Sequence, residues 1–289
     1  MLRDVEARVI ANTRLSPDYN VIALAAPEIA EATQPGQFVM VKSARSADPL
    51  LRRPFSVFEV LRSSNRVEGL TLLSKRIGVT TKILYDAVAD DRIACLGPLG
   101  RPFDIVDPPV EAWMVAGGVG LAPFATLGEA LLARGTKTTL FYGARTGGEL
   151  FYLDWFQSRG IRLVLATEDG SSGDRARITG PLERELRQLE SRIPLDFAQG
   201  KPNPESRSSV MIYACGPEPM LEAVAHVAAK FRRPSQVSVE RTMGCGMGGC
   251  YSCVIPVRGE AGSERIGPAH YVRSCIAGPV FSGEELVWD

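Results

Sequence analysis

The chain has 289 residues, enough for two or three domains that each bury a hydrophobic core. Hydrophobic residues make up 45% of it and charged residues 23%, and 33 basic residues balance 33 acidic ones, so nothing indicates binding to nucleic acid or to a membrane. The first residues lack the apolar core of a signal peptide, and no run of about 18 apolar residues could span a bilayer. We therefore expect a cytoplasmic protein.

Residues 1–105 are predicted to form an antiparallel β-barrel domain. Short apolar or alternating runs, separated by turn residues, are typical of such strands. The runs are Ala7–Thr13, Tyr19–Leu24, Gln37–Lys42, Pro54–Val60 and Arg66–Leu73. One short helix, from Thr80 to Asp86, is expected within the barrel, and Gly97-Pro98 is expected in a turn.

Residues 106–235 are predicted to form a doubly wound α/β domain, because strands alternate with helices along this part of the chain. The predicted strands are Ala112–Ala116, Thr138–Tyr142, Arg162–Thr167 and Val210–Ala214. The predicted helices are Ala122–Arg134, Leu150–Gln157, Leu182–Leu189 and Pro219–Lys230. A polar segment, Ser191–Ser209, is expected to be a surface loop or insertion within this domain.

Residues 236–289 are predicted to form a small cysteine domain that depends on a metal centre to stay folded. Its four cysteines have the C-x4-C-x2-C…C order of plant-type 2Fe-2S proteins: Cys245, Cys250, Cys253 and Cys275. The intervening glycines favour iron over zinc, since a loop without Cβ atoms can aim backbone N–H groups at cluster sulfurs. Structural zinc and unrelated thiols or disulfides remain the alternatives.

Two segments of the predicted barrel have the chemistry of a flavin dinucleotide site. Arg53-Pro54-Phe55-Ser56 offers a cation for a phosphate, a flat face for a ring and a short hydrogen-bonding group. An ordinary barrel strand with exposed arginines is the alternative. Further along, the segment Gly78–Thr81 opens a helix whose amides suit a phosphate, although a simple N-cap threonine would give the same pattern.

Two turns of the α/β domain suit a nicotinamide dinucleotide. The first strand ends in a glycine turn, where a pyrophosphate can approach the backbone. Another strand ends in a Cys-Gly-Pro turn at the same sheet edge, although its cysteine is alternatively a small buried hydrophobe. These turns contain Gly117, Gly118, Gly120, Cys215, Gly216 and Pro217. Arg145 could meet the 2′-phosphate of NADP, but no basic cluster surrounds it in sequence, so NAD and NADP both remain open.

Residues 1–235 resemble the ferredoxin reductase-like superfamily. With the cysteine segment included, the whole chain resembles the family of electron-transfer subunits of type B dihydroorotate dehydrogenases, which are iron-sulfur flavoproteins. The segments that carry the resemblance are Arg52–Ser56, Cys215–Met220, Glu240–Cys250 and Cys275–Phe281.

The resemblance implies roles for individual residues. Arg53 would bind the FAD pyrophosphate, Phe55 would lie against the flavin, and Ser56 would hydrogen-bond near its reactive nitrogen. Gly78, Thr80 and Thr81 would form the second FAD phosphate segment, in which Thr80 replaces a family glycine. The glycine turn and the Cys-Gly-Pro turn would hold NAD, and the four cysteines would ligate a 2Fe-2S cluster.

The resemblance also implies a function. A partner subunit with its own flavin, in a heterotetramer with two copies of each chain, would oxidise dihydroorotate to orotate, a reaction of pyrimidine biosynthesis. Electrons would then cross the cluster to FAD and leave as hydride to NAD. No acid-base catalytic residue is expected in this chain, because the cofactors supply the chemistry. The alternatives are a reductase subunit of a hydrogenase or ferredoxin:NADP complex, and a zinc-binding module without flavin.

Overall fold

The computed structural model of the protein describes residues 2–43, 49–64, 66–191, 195–196, 201–202, 210–258 and 269–288. Within these ranges, none of the helices has both the length and the apolar character needed to cross a membrane.

The first sheet has seven antiparallel strands in the spatial order β4-β3-β7-β1-β2-β6-β5. The strands are β1 (Arg3–Arg14), β2 (Tyr19–Ala25), β3 (Phe38–Ser43), β4 (Arg53–Ser56), β5 (Val60–Ser63), β6 (Arg66–Lys75) and β7 (Arg92–Leu99). Side chains of β1 alternate, with Ala7 and Val9 buried and Arg8 outside. Two backbone hydrogen bonds close the sheet into a barrel: Val57 N–H donates to Gln37 O at 3.1 Å, and Phe58 N–H donates to Thr71 O at 2.9 Å.

Two helices belong to the barrel, α1 (Pro27–Ala30) and α2 (Val79–Asp86). The expected strand Pro54–Val60 is instead two strands, because residues 57–59 turn from β3 toward β6. The expected turn at Gly97-Pro98 is wrong, since β7 runs through both residues and Gly97 pairs with Arg3 of β1.

The second sheet is parallel except for its last strand, in the order β11-β10-β9-β8-β14-β15-β18. Its strands are β8 (Glu111–Gly117), β9 (Thr138–Ala144), β10 (Arg162–Thr167), β11 (Asp174–Arg175), β14 (Val210–Cys215), β15 (Ser235–Ser238) and β18 (Val280–Ser282). Its helices are α3 (Phe124–Ala133), α4 (Leu153–Ser158), α5 (Thr179–Ser191) and α6 (Glu218–Lys230).

Helices cover both faces of this second sheet, as the alternating pattern predicts. Neighbouring residues of β8 point into different cores: Met114 packs with Leu127 of α3, and Val115 packs with Leu221 of α6. The predicted fold class, a barrel followed by a doubly wound domain, is confirmed.

The C-terminal segment leaves the second sheet and returns to it. Between β15 and β18 lie β16 (Val254–Arg258), β17 (Ala269–Arg273) and α7 (Ser274–Ala277), with β16 and β17 paired as a separate antiparallel ribbon. Because β15 spans the boundary predicted at residue 236 and β18 also joins the second sheet, the division into three domains stays a prediction.

Most of the predicted insertion Ser191–Ser209 lies outside the described residues. Two short strands within it, β12 (Leu195–Asp196) and β13 (Lys201–Pro202), pair with each other in antiparallel fashion.

The barrel and the α/β part share a packed boundary. Phe103, which follows the barrel, meets Tyr213 of β14 edge-on at 5.4 Å between ring centroids, and Phe58 meets Tyr152 in the same way at 4.7 Å. The Tyr213 hydroxyl donates to the carbonyl of Asp104 at 2.8 Å. This contact fixes the barrel wall against the carboxyl ends of the parallel strands.

Candidate functional site

A cavity of about 1190 Å³ opens between the barrel and the carboxyl edge of the parallel sheet. It exceeds the roughly 300–1,000 Å³ that is usual for one small ligand. All of the residues predicted to bind FAD or NAD line it: Arg53, Pro54, Phe55, Ser56, Gly78, Thr80, Thr81, Gly117, Gly118, Gly120, Cys215, Gly216 and Pro217. The structure therefore brings together four segments that are far apart in sequence, and their individual roles stay predictions.

Two adjacent arginines, Arg52 just before β4 and Arg53 at its first position, have different surroundings. Arg52 makes a bidentate pair with the Asp4 carboxylate at 2.8 and 3.0 Å and does not line the cavity. Arg53 lines the cavity, and among the described residues its guanidinium donates only to the backbone carbonyls of Leu51 and Arg52, at 3.4 and 3.1 Å. Of these two arginines, Arg53 is thus the one that is available to an anionic ligand in the cavity.

The start of α2 lies on the barrel side of the same cavity. The Thr81 hydroxyl accepts from the N–H groups of Ile77 and Gly78, both at 2.9 Å, and donates to Gly78 O at 3.0 Å. The N-cap residue of α2 is Gly78, so the alternative of an N-cap threonine is wrong; Thr81 lies at the third helical position and caps from there. Thr80 is buried, and a Cβ at Gly78 would meet nothing within 4 Å, so the cavity has open space at this backbone. A phosphate fits here through backbone amides rather than the Thr81 hydroxyl.

Ser74 at the end of β6 places an unused hydroxyl in the cavity wall. Its Oγ is buried and has no hydrogen-bond partner in the described part of the chain. Because a buried hydroxyl without a partner is costly, a ligand with polar edges such as a flavin fits beside it.

A charged bridge crosses from the barrel to the α/β part at the cavity wall. Glu149 accepts hydrogen bonds from Tyr19 Oη at 2.9 Å and from Lys75 Nζ at 3.1 Å, and the ammonium lies 4.8 Å from the Tyr19 ring centroid. Burial alone would raise the pKa of Glu149, but the bonds from Lys75 and Tyr19 outweigh it and lower the pKa. Glu149 is therefore a carboxylate that ties the two parts together.

The glycine turn after β8 has two different requirements. Gly118 has φ +54°, and a Cβ there would meet nothing within 4 Å, which leaves an open approach to its backbone. At Gly120, a Cβ would lie 2.1 Å from the Cys215 carbonyl oxygen. Gly120 thus allows the glycine turn to pack against the Cys-Gly-Pro turn, and Gly118 leaves room for a pyrophosphate.

Cys215 lies where those two turns meet. Burial, with the nearby Glu240 carboxylate, raises the pKa of its thiol to about 12, while a hydrogen bond with Ser238 opposes the rise. The thiol is therefore neutral near pH 7, which suits a contact with a ligand ring rather than a nucleophilic role.

The four predicted cluster cysteines lie outside the cavity. The Cys250 thiol lies 3.2 Å from the Ser252 hydroxyl, and hydrogen bonds with Ser252 and then Cys245 lower its pKa to about 6. Burial, followed by a hydrogen bond with Cys253, raises the pKa of Cys275 to about 12. No three metal-binding side chains of the described residues converge on one point. These four thiols would be the cluster ligands, and four is the number that a 2Fe-2S centre takes.

The glycine-rich loop between the first two cysteines also fits a cluster. Met247 N–H donates to Cys245 Sγ at 3.4 Å, so one backbone donor already points at a ligand sulfur. Gly248 has φ +81°, and a Cβ there would lie 2.1 Å from the Ile276 side chain beside Cys275. A larger residue at this position would separate the loop from the segment that carries the fourth thiol.

The cysteine centre and the cavity share one wall. Cys253 and Cys275 pack in a buried cluster with side chains of the barrel strands β3 and β7 and with Met243. Phe38 and Met243 belong to this cluster and also line the cavity. The candidate metal centre and the candidate flavin site therefore border the same buried cluster of side chains.

Several cavity residues were not predicted from the sequence. Tyr19, Lys75 and Glu149 come from three segments and meet only in space. Glu168 and Arg177, which follow β10 and precede α5, also line the cavity. Glu168 follows β10, the third strand of the α/β part, and no motif in the sequence points to it.

Family models match two parts of the chain. Residues 240–287 match the model described as the iron-sulfur cluster binding domain of dihydroorotate dehydrogenase B, and residues 114–226 match an oxidoreductase NAD-binding domain. The first range holds all four predicted cluster cysteines, and the second holds both predicted nucleotide turns.

Two curated relatives are similar to the chain over its whole length. The dihydroorotate dehydrogenase B (NAD(+)) electron transfer subunit of Desulforamulus reducens is 32% identical over 289 residues, covering 100% of each chain. The protein of the same name from Geobacillus kaustophilus is 36% identical over 286 residues, covering 98% of each chain.

Solved structures share the fold. A chain of the NADH-dependent reduced ferredoxin-NADP oxidoreductase matches with a TM-score of 0.77 and 25% identity, covering 98% of this chain and 90% of the other. A ferredoxin NADP+ reductase from Neisseria gonorrhoeae with bound FAD and NADP matches with a TM-score of 0.59 and 20% identity, covering 79% of this chain and 91% of the other.

Proposed function

The chain belongs to the family of electron transfer subunits of dihydroorotate dehydrogenase B, and on that premise we propose that it passes electrons between a catalytic partner subunit that oxidises dihydroorotate and NAD. The observation that carries the proposal is the shared wall: the residues predicted to bind FAD and NAD line one cavity, and Phe38 and Met243 join its lining to the cluster around Cys253 and Cys275.

The cofactors are FAD, a 2Fe-2S cluster and NAD. FAD exchanges single electrons with the cluster and a hydride with NAD, whereas the cluster and NAD cannot exchange electrons with each other directly, because one carries single electrons and the other a hydride. The protein's part is to bind and orient them, and no residue of this chain needs to act as an acid or base.

The barrel residues hold the flavin in this proposal. Arg53 donates to the pyrophosphate, since its guanidinium has no acidic partner in the described ranges of the chain, while the amides at the start of α2 bind a second phosphate oxygen. Phe55 lies against the ring, and Ser56 and Ser74 hydrogen-bond its polar edge.

The α/β turns hold the nucleotide. The open backbone at Gly118 receives the pyrophosphate, and the neutral Cys215 thiol lies beside the nicotinamide. The tight packing of Gly120 on Cys215 keeps the two turns together, so that one would hold the pyrophosphate and the other the nicotinamide.

The proposed partner is a flavin-containing dehydrogenase subunit, in a heterotetramer of two copies of each chain. The cytoplasm is the proposed compartment, because thiols kept free for iron suit reducing conditions. The direct test is to mix the purified chain with the catalytic subunit of a dihydroorotate dehydrogenase B and to measure NADH formed from dihydroorotate. Turnover that needs both subunits supports the proposal, and turnover by the partner alone contradicts it.

A second candidate is the reductase subunit of a ferredoxin-NADP complex, which the match at a TM-score of 0.77 over 98% of this chain favours. Both candidates need the same cofactors and differ in the partner. Isolating the native complex and sequencing the protein that accompanies this chain distinguishes them.

A further inference from the structure

The outer end of the cavity is formed where β9 and β10 end. Ala144 pairs with Thr167 in the last register position of these parallel strands. The pairing continues past the strands, since Glu168 N–H donates to Ala144 O and Asp169 N–H donates to Arg145 O, both at 3.2 Å. Arg145 and Glu168 therefore sit side by side on neighbouring strand ends, and both line the cavity.

These two opposite charges do not neutralise each other. In the part of the chain that the structure describes, neither Arg145 nor Glu168 takes part in an ion pair or a side-chain hydrogen bond. Other charges on the cavity wall are engaged: Glu149 by Lys75 and Arg241 by Glu218. The outer end thus presents a carboxylate and a guanidinium that are both available to a ligand.

A second guanidinium reaches the same end. Arg177 precedes α5 and lines the cavity, and its neighbour Ile178 packs over the end of β9, where a Cβ at Gly143 would lie 2.7 Å from the Ile178 Cβ. Without Glu168, this end would hold only positive charge, from Arg145 and Arg177.

The position along the sheet indicates which part of a nucleotide lies here. The sheet order places β8 and its glycine turn between β14 on one side and β9 and β10 on the other. With the pyrophosphate at the glycine turn and the nicotinamide beside Cys215, the adenosine extends over β9 and β10. The adenosine ribose is therefore the group that meets Glu168 and Arg145.

A ribose diol satisfies both charges, whereas a 2′-phosphate satisfies one. Hydroxyls donate to a carboxylate and accept from a guanidinium, and a carboxylate can only accept. The 2′-phosphate of NADP would bind the guanidinium but would place a dianion beside the Glu168 carboxylate and leave that carboxylate without a donor. The pair distinguishes the two dinucleotides at a single oxygen.

We propose that Glu168 is the residue that selects NAD over NADP, by accepting hydrogen bonds from the adenosine ribose hydroxyls and repelling a 2′-phosphate. The inference rests on the proposed function, since it assumes that the cavity binds a nicotinamide dinucleotide. Arg145 and Arg177 would favour a 2′-phosphate if Glu168 were neutral, so the whole preference depends on one charge.

The test measures dissociation constants for NAD+ and NADP+ on the holoprotein by titration calorimetry, with no turnover involved. The variant is Glu168→Gln, and the control is Asp169→Asn, which removes the same charge at the next position. The Asp169 side chain does not line the cavity and instead accepts hydrogen bonds from Ser171. We expect the wild-type ratio to favour NAD and Glu168→Gln to shift it toward NADP by about tenfold to a hundredfold, the range for losing a hydrogen bond to a charged group. Asp169→Asn should keep the wild-type ratio.

A ratio that changes by less than about twofold in Glu168→Gln, or equally in both variants, overturns the assignment of Glu168. Wild-type protein that binds neither nucleotide removes the proposed function as well, whereas NAD binding with an unchanged ratio removes only this inference.

Discussion

Replacing Arg53 with Gln should release FAD, while the same replacement at the adjacent Arg52 should not. Arg53 lines the cavity and, as far as the structure describes the chain, donates only to backbone carbonyls, whereas Arg52 is paired with Asp4 outside the cavity. The two variants remove the same charge at neighbouring positions, so the change in net charge is matched.

The expected magnitudes differ. A hydrogen bond from a guanidinium to a phosphate is worth about 1.5–3 kcal/mol, and about 1.4 kcal/mol corresponds to a factor of ten. Arg53→Gln should therefore weaken FAD binding by about 10-fold to 150-fold. Arg52→Gln loses an ion pair whose side chains are 20% and 58% exposed, which is worth at most about 1 kcal/mol of stability and nothing in flavin affinity.

The assay is fluorescence titration of flavin-free protein with FAD, together with the flavin content of each variant as purified. Equal flavin affinity in the two variants, or a larger loss in Arg52→Gln, would refute the assignment of Arg53 to the FAD pyrophosphate.

Three further changes test the rest of the site. Gly120→Ala places a Cβ 2.1 Å from the Cys215 carbonyl oxygen, and it should cost about 1–3 kcal/mol of unfolding free energy and most of the NADH oxidation rate. In the control Gly148→Ala, the new Cβ would meet its nearest atom at 3.8 Å, so melting temperature and turnover should stay unchanged. Similar behaviour of the two variants would contradict the packing argument. The pKa of Glu149 is lowered from 4.5, so its bridge to Lys75 and Tyr19 should stabilise the protein fully above pH 4.5 and should be lost as the pH falls through the folded pKa. Denaturant unfolding should therefore show the wild type more stable than Glu149→Gln at pH 7 and equally stable well below pH 4.5. A stability difference that persists in acid would count against the bridge. Burial raises the pKa of Cys215 to about 12, so peptide mapping should find it unmodified after iodoacetamide treatment at pH 8, and rapid alkylation would show a thiolate that the account does not contain.

Features that depend on neighbouring residues were predictable from the sequence. The alternation in β1 and the long apolar run of β8 are local patterns, and they led to the right strands. The flavin and nucleotide segments are likewise contiguous, so each could be named before the cavity that joins them was known.

Features that depend on distant pairing were not predictable. Strand β7 contains Gly97-Pro98, which is typical of a turn, and its identity comes from pairing with β1 and β3. β18 has only three residues and joins the second sheet more than forty positions after β15 begins. The bridge of Tyr19, Lys75 and Glu149 joins three segments that no single motif contains.

The measurement that tests the central claim most directly is anaerobic rapid mixing of the isolated chain with NADH, followed by flavin absorbance and by the electron paramagnetic resonance of the cluster. The account predicts that the flavin absorbance falls first and that the reduced-cluster signal then appears without any partner subunit. A flavin that is fully reduced by NADH while the cluster stays oxidised would contradict it.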